Sequence, residues 1–409
     1  MESVYARIEQ EVAARADRLW DVSLALHREP ETAYEEHRAS ALLAGELERE
    51  GFRVERGVAG LPTAFTARTG STARTGCAAR TGNGVGPGQV PSVALLLEYD
   101  ALPQLGHACG HNLIAAAGLG AALAARAALG EIAGSLLAVG TPAEESGGGK
   151  VAEVAAGLFD GVDAALMFHP GVHDWTWAPL TASAQVRVGF HGRAAHPTGN
   201  PTEGIDALGA LIQLFNTLGV LDRRLPSGSH IQGIVTEGGR ATNIVPDYAE
   251  GLFGLRGKTT SALAELVDEL RSCAQGVALA TGTRVDVTDV GGRYEHFRAN
   301  DVLSGLFARH LQAAGITLTE PEPGIYLGSS DIGNVSTRLP AIHPFLAIMG
   351  PDGSDHTPEF ARAAAGPRGR QVMSAAARAL ACTAADVLLR PDVPTRAWAA
   401  FREKAAAGL

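Results

Sequence analysis

Four apolar runs of strand length punctuate the chain: VALLLEY (Val93 to Tyr99), SLLAVGT (Ser135 to Thr141), DAALMF (Asp163 to Phe168) and AIHPFLAIMG (Ala341 to Gly350). Helical stretches from Asn112 to about Leu129 and from Lys150 to Ala156 lie between the first three. Continuous apolar runs alternating with helices predict an α/β fold with a mainly parallel sheet covered by helices on both faces. Two earlier helices, roughly Tyr5 to Leu26 and Glu35 to Glu50, are divided where Pro30 forbids continuation, and they read as a cap packed on the sheet.

The character changes after about residue 179. Ser183 to Phe190 alternates like a half-exposed strand, and Ile205 to Leu218 carries apolar residues at helical spacing. His230 to Val235 and Tyr248 to Arg256 read as strands, Thr260 to Leu279 as a helix, and Arg284 to Val290 alternates again. The order βαββαβ predicts an inserted α+β domain of split-βαβ, ferredoxin-like type over 179–296, between the two parts of the first domain, 1–178 and 297–409. Within the first domain, residues 66–91 contain Ala-Arg-Thr-Gly three times, then GNGVGPGQ, with no apolar period. They read as a flexible surface insertion with too few arginines to act as a nucleic-acid arm.

At 409 residues, 46% hydrophobic and 19% charged, the chain is long enough for two or three domains with sizeable cores. Its net charge of -10, with no Lys/Arg-rich run, argues against nucleic acid and against an anionic membrane as partner. The first twenty residues form an amphipathic helical pattern with acids, unlike a signal peptide, and no apolar run is read as long enough to span a membrane. The expected location is the cytoplasm. Of the four cysteines, only Cys109 has ligand-type neighbours.

Ligands in open parallel sheets bind beyond the carboxyl ends of the strands. That rule selects Asp100 with Cys109 and His111, then Glu144 and Glu145, then His169, then His356. Cys109 and His111, one residue apart, point the same way if the backbone is extended, and thiolate with imidazole suits zinc, manganese or cobalt. The alternative is a buried free cysteine beside a structural histidine. Glu144 and Glu145 diverge as neighbours do, so one can bind metal while the other faces a water, or both can belong to a solvated acidic loop. The three glycines before Lys150 lack the outer glycine and Ser/Thr of a phosphate loop. Together Cys109, His111, Glu145, His169 and His356 make five ligands, more than one open catalytic zinc takes, and two metals account for the number.

The segments GHACGHN, GTPAEESGGGK, FHPG, GRAAHP, ATNIVPD and DHTPEF, in this order, resemble the M20 family of dinuclear metallo-amidohydrolases. The likeness runs from His27 to about Pro358 and leans towards the aminobenzoyl-glutamate hydrolase and dipeptidase-like branch, because Asn112 stands where many relatives have aspartate. The resemblance implies Cys109, His111, Glu145, His169 and His356 as ligands of two divalent ions (Zn, Mn or Co) and Glu144 as general base. It implies that Asp100 supports the ligands and that the inserted domain is a lid that commonly dimerises. His196 of GRAAHP then polarises the scissile carbonyl, in its own subunit or across a dimer, while Asn243 and Arg256 contact the substrate's carboxylate end. The activity implied is hydrolysis of the amide of an N-acyl or N-aroyl amino acid or a dipeptide, with Glu144 activating a water held at the metals. The alternatives are a dipeptidase requiring a free amino end and a metal-binding scaffold without catalysis.

Overall fold

The apolar run at Val93 becomes the central strand of a six-stranded sheet, buried along its whole length as a doubly covered strand must be. A computed structural model describes residues 1–70, 90–130, 134–200, 202–326 and 328–408. The chain folds as two compact units, Met1–Pro179 with Phe297–Leu409, and Leu180–His296.

The first unit opens with α1 (Glu2–Arg28), α2 (His37–Arg49), β1 (Arg53–Arg56) and β2 (Phe65–Gly70). Then come β3 (Ser92–Glu98), α3 (His111–Leu129), β4 (Ser135–Thr141), α4 (Gly149–Ala155), β5 (Ala164–Leu166) and β6 (His169–Gly171). The sheet order is β1-β2-β4-β3-β5, with a later strand beyond β5. β3 pairs in parallel with β4 and β5, whereas β1 and β2 form an antiparallel edge. The sheet is therefore mainly parallel with a mixed edge. α2 packs on that edge, whereas α1 lies mainly on α3 and α10. Leu19 of α1 sits so close to α3 that a Cβ at Gly120 would come within 2.6 Å of it. Burying such a leucine contributes about 1.5–3 kcal/mol.

β2 departs from the sequence reading, because the first Ala-Arg-Thr-Gly copy is part of this strand. Phe65 and Ala67 are buried in alternation with half-exposed Thr66 and Arg68, and the strand pairs with β4 through Gly70. The rest of the expected insertion, residues 71–89, lies outside the described residues.

The second unit consists of β7 (Ala182–His191), α5 (Ala207–Leu221), β8 (His230–Glu237), β9 (Tyr248–Gly257), α6 (Thr260–Thr281) and β10 (Arg284–Tyr294). Its antiparallel sheet runs β10-β7-β9-β8, and both helices pack on it around Val186, Val188, Leu211, Phe253, Leu266 and Leu270. Asp206 and Thr259 cap the two helices by accepting from the backbone N–H of Gly209 and Ala262, as short polar side chains do at helix starts.

The first unit resumes with α7 (Asp301–Gln312), α8 (Ile332–Ser336), β11 (Ala341–Ile342), β12 (Phe345–Ala347), α9 (Pro358–Ala364), α10 (Pro367–Leu389) and α11 (Asp392–Ala406). The run from Ala341 is not one strand. β11 adds to β5, then β12 pairs in parallel with β6 as a separate ribbon. Pro344 and Pro170 have no N–H to offer a ladder, and the Pro344 carbonyl accepts instead from His169 N–H at 2.9 Å. For the same reason DAALMF shortens to Ala164–Leu166, and His169 opens β6 instead of trailing a strand.

α10 is tied to α1 and α7 through buried Asp386. Its carboxylate accepts from Tyr5 Oη at 2.7 Å and pairs with His310 Nε2 at 2.8 Å. Both α3 and α10 are long and apolar enough to cross a membrane, which corrects the reading that no segment is, and the apolar stretch of each is mostly buried within the protein.

Candidate metal centre

Two tight turns deliver the donors at the carboxyl ends of β3 and β4. Cys109 and His111 are not in extended backbone, as the sequence suggested. Gly110 between them is left-handed at φ 77°, and His111 is already the first residue of α3. A side chain at Gly110 would be strained, and its Cβ would meet Pro170 Cγ at 2.5 Å. After β4, Ala143 also has positive φ, at 59°, a costly state for a residue with a Cβ. It is held there by buried Glu36, whose Oε1 accepts from Ala143 N–H at 2.9 Å while Oε2 accepts from Thr63 Oγ1 at 2.9 Å. This strained turn aims Glu144 and Glu145 into the site.

Three sets of side chains lie close enough to share an ion: Cys109, His111 and His169; Cys109, Asp355 and His356; and Glu98, His111 and Glu144. Cys109 Sγ is 3.6 Å from His169 Nε2, and Glu145 Oε1 is 3.5 Å from His356 Nε2. The five expected ligands thus gather around the Glu144–Glu145 turn. Asp100 underpins them. It accepts from His111 Nδ1 through its carbonyl at 2.9 Å and its Oδ1 at 3.1 Å, and Oδ2 accepts from Glu145 N–H at 2.9 Å. A ligating imidazole needs such a partner on its other nitrogen to fix its orientation. His169 has one as well, donating from Nδ1 to the Pro170 carbonyl at 2.6 Å.

The donor set fits divalent zinc, manganese or cobalt. Glu98 Oε1, His111 Nε2 and Glu145 Oε1 are buried polar atoms with no hydrogen bond among the described residues, an expensive state that coordination to a cation relieves. Burial and then the charge on His111 hold the His169 pKa down at about 4, so its ring is neutral and able to ligate at pH 7. Burial, followed by the charges of Glu98, Asp331 and Glu145, pushes the Glu144 carboxyl well above the usual range, which suits a group that takes and returns a proton.

Sequence reasoning overlooked a fully buried charge network behind the site. Lys150 Nζ pairs with Glu98 Oε2 and with Asp331 Oδ1, the latter at 2.7 Å, and Asp331 Oδ2 accepts from Lys150 N–H at 2.9 Å. His343, also buried, lies edge-on to His169 with ring centroids 5.3 Å apart. The one local signal was Glu98, a carboxylate in an otherwise apolar strand.

The predicted substrate residues belong to the second unit and to none of these sets. His196 lies on an exposed turn where Nδ1 accepts from the backbone N–H of Gly199 at 3.0 Å and of Thr198 at 3.3 Å. The neutral ring therefore carries its proton on Nε2 and presents a donor. Asn243 is exposed in the turn between β8 and β9, and Arg256 is exposed on β9.

Thiol, imidazole and carboxylate donors converging at strand ends beside a buried glutamate are the arrangement of metal-assisted hydrolases. The chain belongs to Peptidase family M20/M25/M40, whose pattern matches residues 94–379. It is 36% identical over 400 residues to the Xaa-Arg dipeptidase of Mus musculus, covering 96% of this chain and 90% of that protein. Over 307 residues it is 32% identical to a p-aminobenzoyl-glutamate hydrolase polypeptide of Escherichia coli, covering 70% of this chain and 60% of that one. The fold matches an aminobenzoyl-glutamate utilization protein from Klebsiella pneumoniae at TM-score 0.70, with 19% identity over 93% of this chain and 98% of that one. It also matches a dinuclear metal binding peptidase of the M20 family from Bacillus subtilis at TM-score 0.65, with 18% identity over 89% and 98%. The protein is a hydrolase of peptide or amide bonds.

Proposed function

We propose that this protein is a two-metal dipeptidase that hydrolyses dipeptides ending in a basic residue. The observation that carries the reading is the convergence of Cys109, His111, Glu145, His169 and His356 on the turn that presents Glu144. The substrate class is taken from the near full-length similarity to the Xaa-Arg dipeptidase. Cys109, His111, Glu145, His169 and His356 hold two divalent ions, which when bound supply Lewis-acid charge for polarising the amide carbonyl and acidifying water. Glu144 accepts the proton of the attacking water and returns it to the leaving nitrogen. Asp100 keeps the His111 ring and the Glu145 backbone in place. His196 donates from Nε2 to the carbonyl oxygen as it gains charge, while Asn243 and Arg256 receive the substrate's carboxylate.

A panel of Xaa-Arg and Xaa-Lys dipeptides, N-acetyl and N-benzoyl amino acids and aminobenzoyl-glutamate, assayed with zinc, manganese and cobalt, tests the substrate class. The basic dipeptides should be turned over with kcat/KM at least about tenfold above the rest, a difference of about 1.4 kcal/mol in transition-state binding. Exclusive hydrolysis of the aroyl-glutamate would favour the second reading, that of an N-aroyl amino acid hydrolase, which the similarity to the aminobenzoyl-glutamate enzyme supports. No turnover of any member would leave a metal-binding scaffold.

The proposal extends to a homodimer formed through the second unit. Ile212 and Val220 on α5 and Ile234 and Val235 on edge strand β8 expose apolar surface that pairing would cover. His196→Ala should lower turnover about a hundredfold with both metals retained. If His196 serves a partner subunit, mixing this variant with Glu144→Gln restores part of the activity. Sedimentation as a monomer would rule out the dimer, and unchanged turnover of His196→Ala would remove the histidine from the reaction.

A further inference from the structure

Glu98 closes β3 with its side chain fully buried, and its two oxygens have different surroundings. Oε2 is held by Lys150 Nζ, itself fixed by Asp331. Oε1 lies 3.1 Å from His111 Nε2, yet neither atom makes a hydrogen bond among the described residues. Their approach is too poorly aligned for a proton to join them.

The other side of the His111 ring explains what occupies that contact. Nδ1 is engaged by the Asp100 carbonyl and Oδ1, which leaves Nε2, on the Glu98 side, as the nitrogen that can coordinate an ion. Two donors on one divalent ion, each at about 2.0–2.2 Å, sit about 3 to 3.5 Å apart, which is the spacing found. A carboxylate oxygen of Glu144 lies within 4.8 Å of both.

We propose that Glu98 is a sixth metal ligand, binding through Oε1 the ion held by His111 Nε2, and that Lys150 is the positioning residue that aims it. This inference rests on the two-metal reading above. The carboxylates of Glu98 and Asp331 outnumber the single ammonium of Lys150, so the network retains negative charge towards the ion. Lys150 keeps Glu98 from rotating Oε1 away and leaves that oxygen free to coordinate.

The full-length protein is titrated with Zn2+ and Co2+, using elemental analysis, equilibrium dialysis and the cobalt visible bands. Glu98→Gln should hold one ion as the unaltered protein does and bind the other at least about tenfold more weakly, since losing even a partner of a ligand costs that much. The cobalt band of the weakened ion should change intensity. Lys150→Met should weaken the same ion by a smaller factor. Binding of both ions by Glu98→Gln with unaltered affinities and spectrum overturns the proposal. Should Glu98→Gln not fold, Glu98→Asp carries the test, because it keeps the charge opposite Lys150 while withdrawing the oxygen by one methylene. Weaker binding of one ion by Glu98→Asp supports the assignment, and unaltered binding of both refutes it. If the unaltered protein binds no metal at all, the two-metal reading fails first.

Discussion

Glu144→Gln lowers turnover by about two to four orders of magnitude, the range for loss of a general base, and leaves the metal content unchanged. Glutamine keeps the shape of glutamate but cannot take a proton, and Glu144 is not among the five residues assigned to hold the ions. Glu145→Gln behaves differently. Its Oε1 faces His356, so the substitution should release one ion, and elemental analysis alongside kcat separates the two outcomes. Metal loss from the first variant and retention by the second would reverse the assigned roles. Unslowed hydrolysis in both would reduce the pair to an acidic turn.

Removal of metal is the second large effect. Dialysis against a chelator should abolish hydrolysis, and Zn2+, Mn2+ or Co2+ should restore it at about two ions per chain. The stripped protein should also melt at a lower temperature, because ligand at a hundred times its Kd stabilises by about 2.7 kcal/mol. The donors come from turns far apart in the chain, from Cys109 to His356, so bound ions would add cross-links between these segments. Full activity in a preparation verified as metal-free would end the reading.

The parallel sheet and the inserted βαββαβ unit were legible because apolar runs and alternation are local and strong. The cluster of candidate donors was legible because a strand end followed by Cys-Gly-His or Glu-Glu puts rare residue types in a productive place. Other features depended on partners distant in sequence. A side chain at Gly110 would collide with Pro170 as well as strain the left-handed turn, and no feature around Gly110 announces that neighbour. The run after Ala341 breaks between two sheets because Pro344 and Pro170 lack donors, a fact that apolar patterning does not register. Lys150 and Asp331 are 181 positions apart and meet in the interior, so neither marks the other. Glu98 was visible but read as the end of a strand. α3, apolar nearly all round, is a helix surrounded by protein, which periodicity does not distinguish from one surrounded by lipid.

The division of the first unit by the second has a kinetic consequence. Its sheet ends in β11, whose partner β5 precedes the whole inserted unit, and α10 packs on α3 from a similar distance along the chain. Closing such long loops costs entropy before any contact repays it, and topologies of this kind fold slowly. During synthesis, residues 180–296 are complete and able to form their own sheet while β5 still lacks its neighbour and the Lys150 ammonium lacks Asp331. The candidate metal centre therefore cannot be completed until the domain that interrupts it has been made, because the strand, the counter-ion and the final histidine it requires all arrive after that domain.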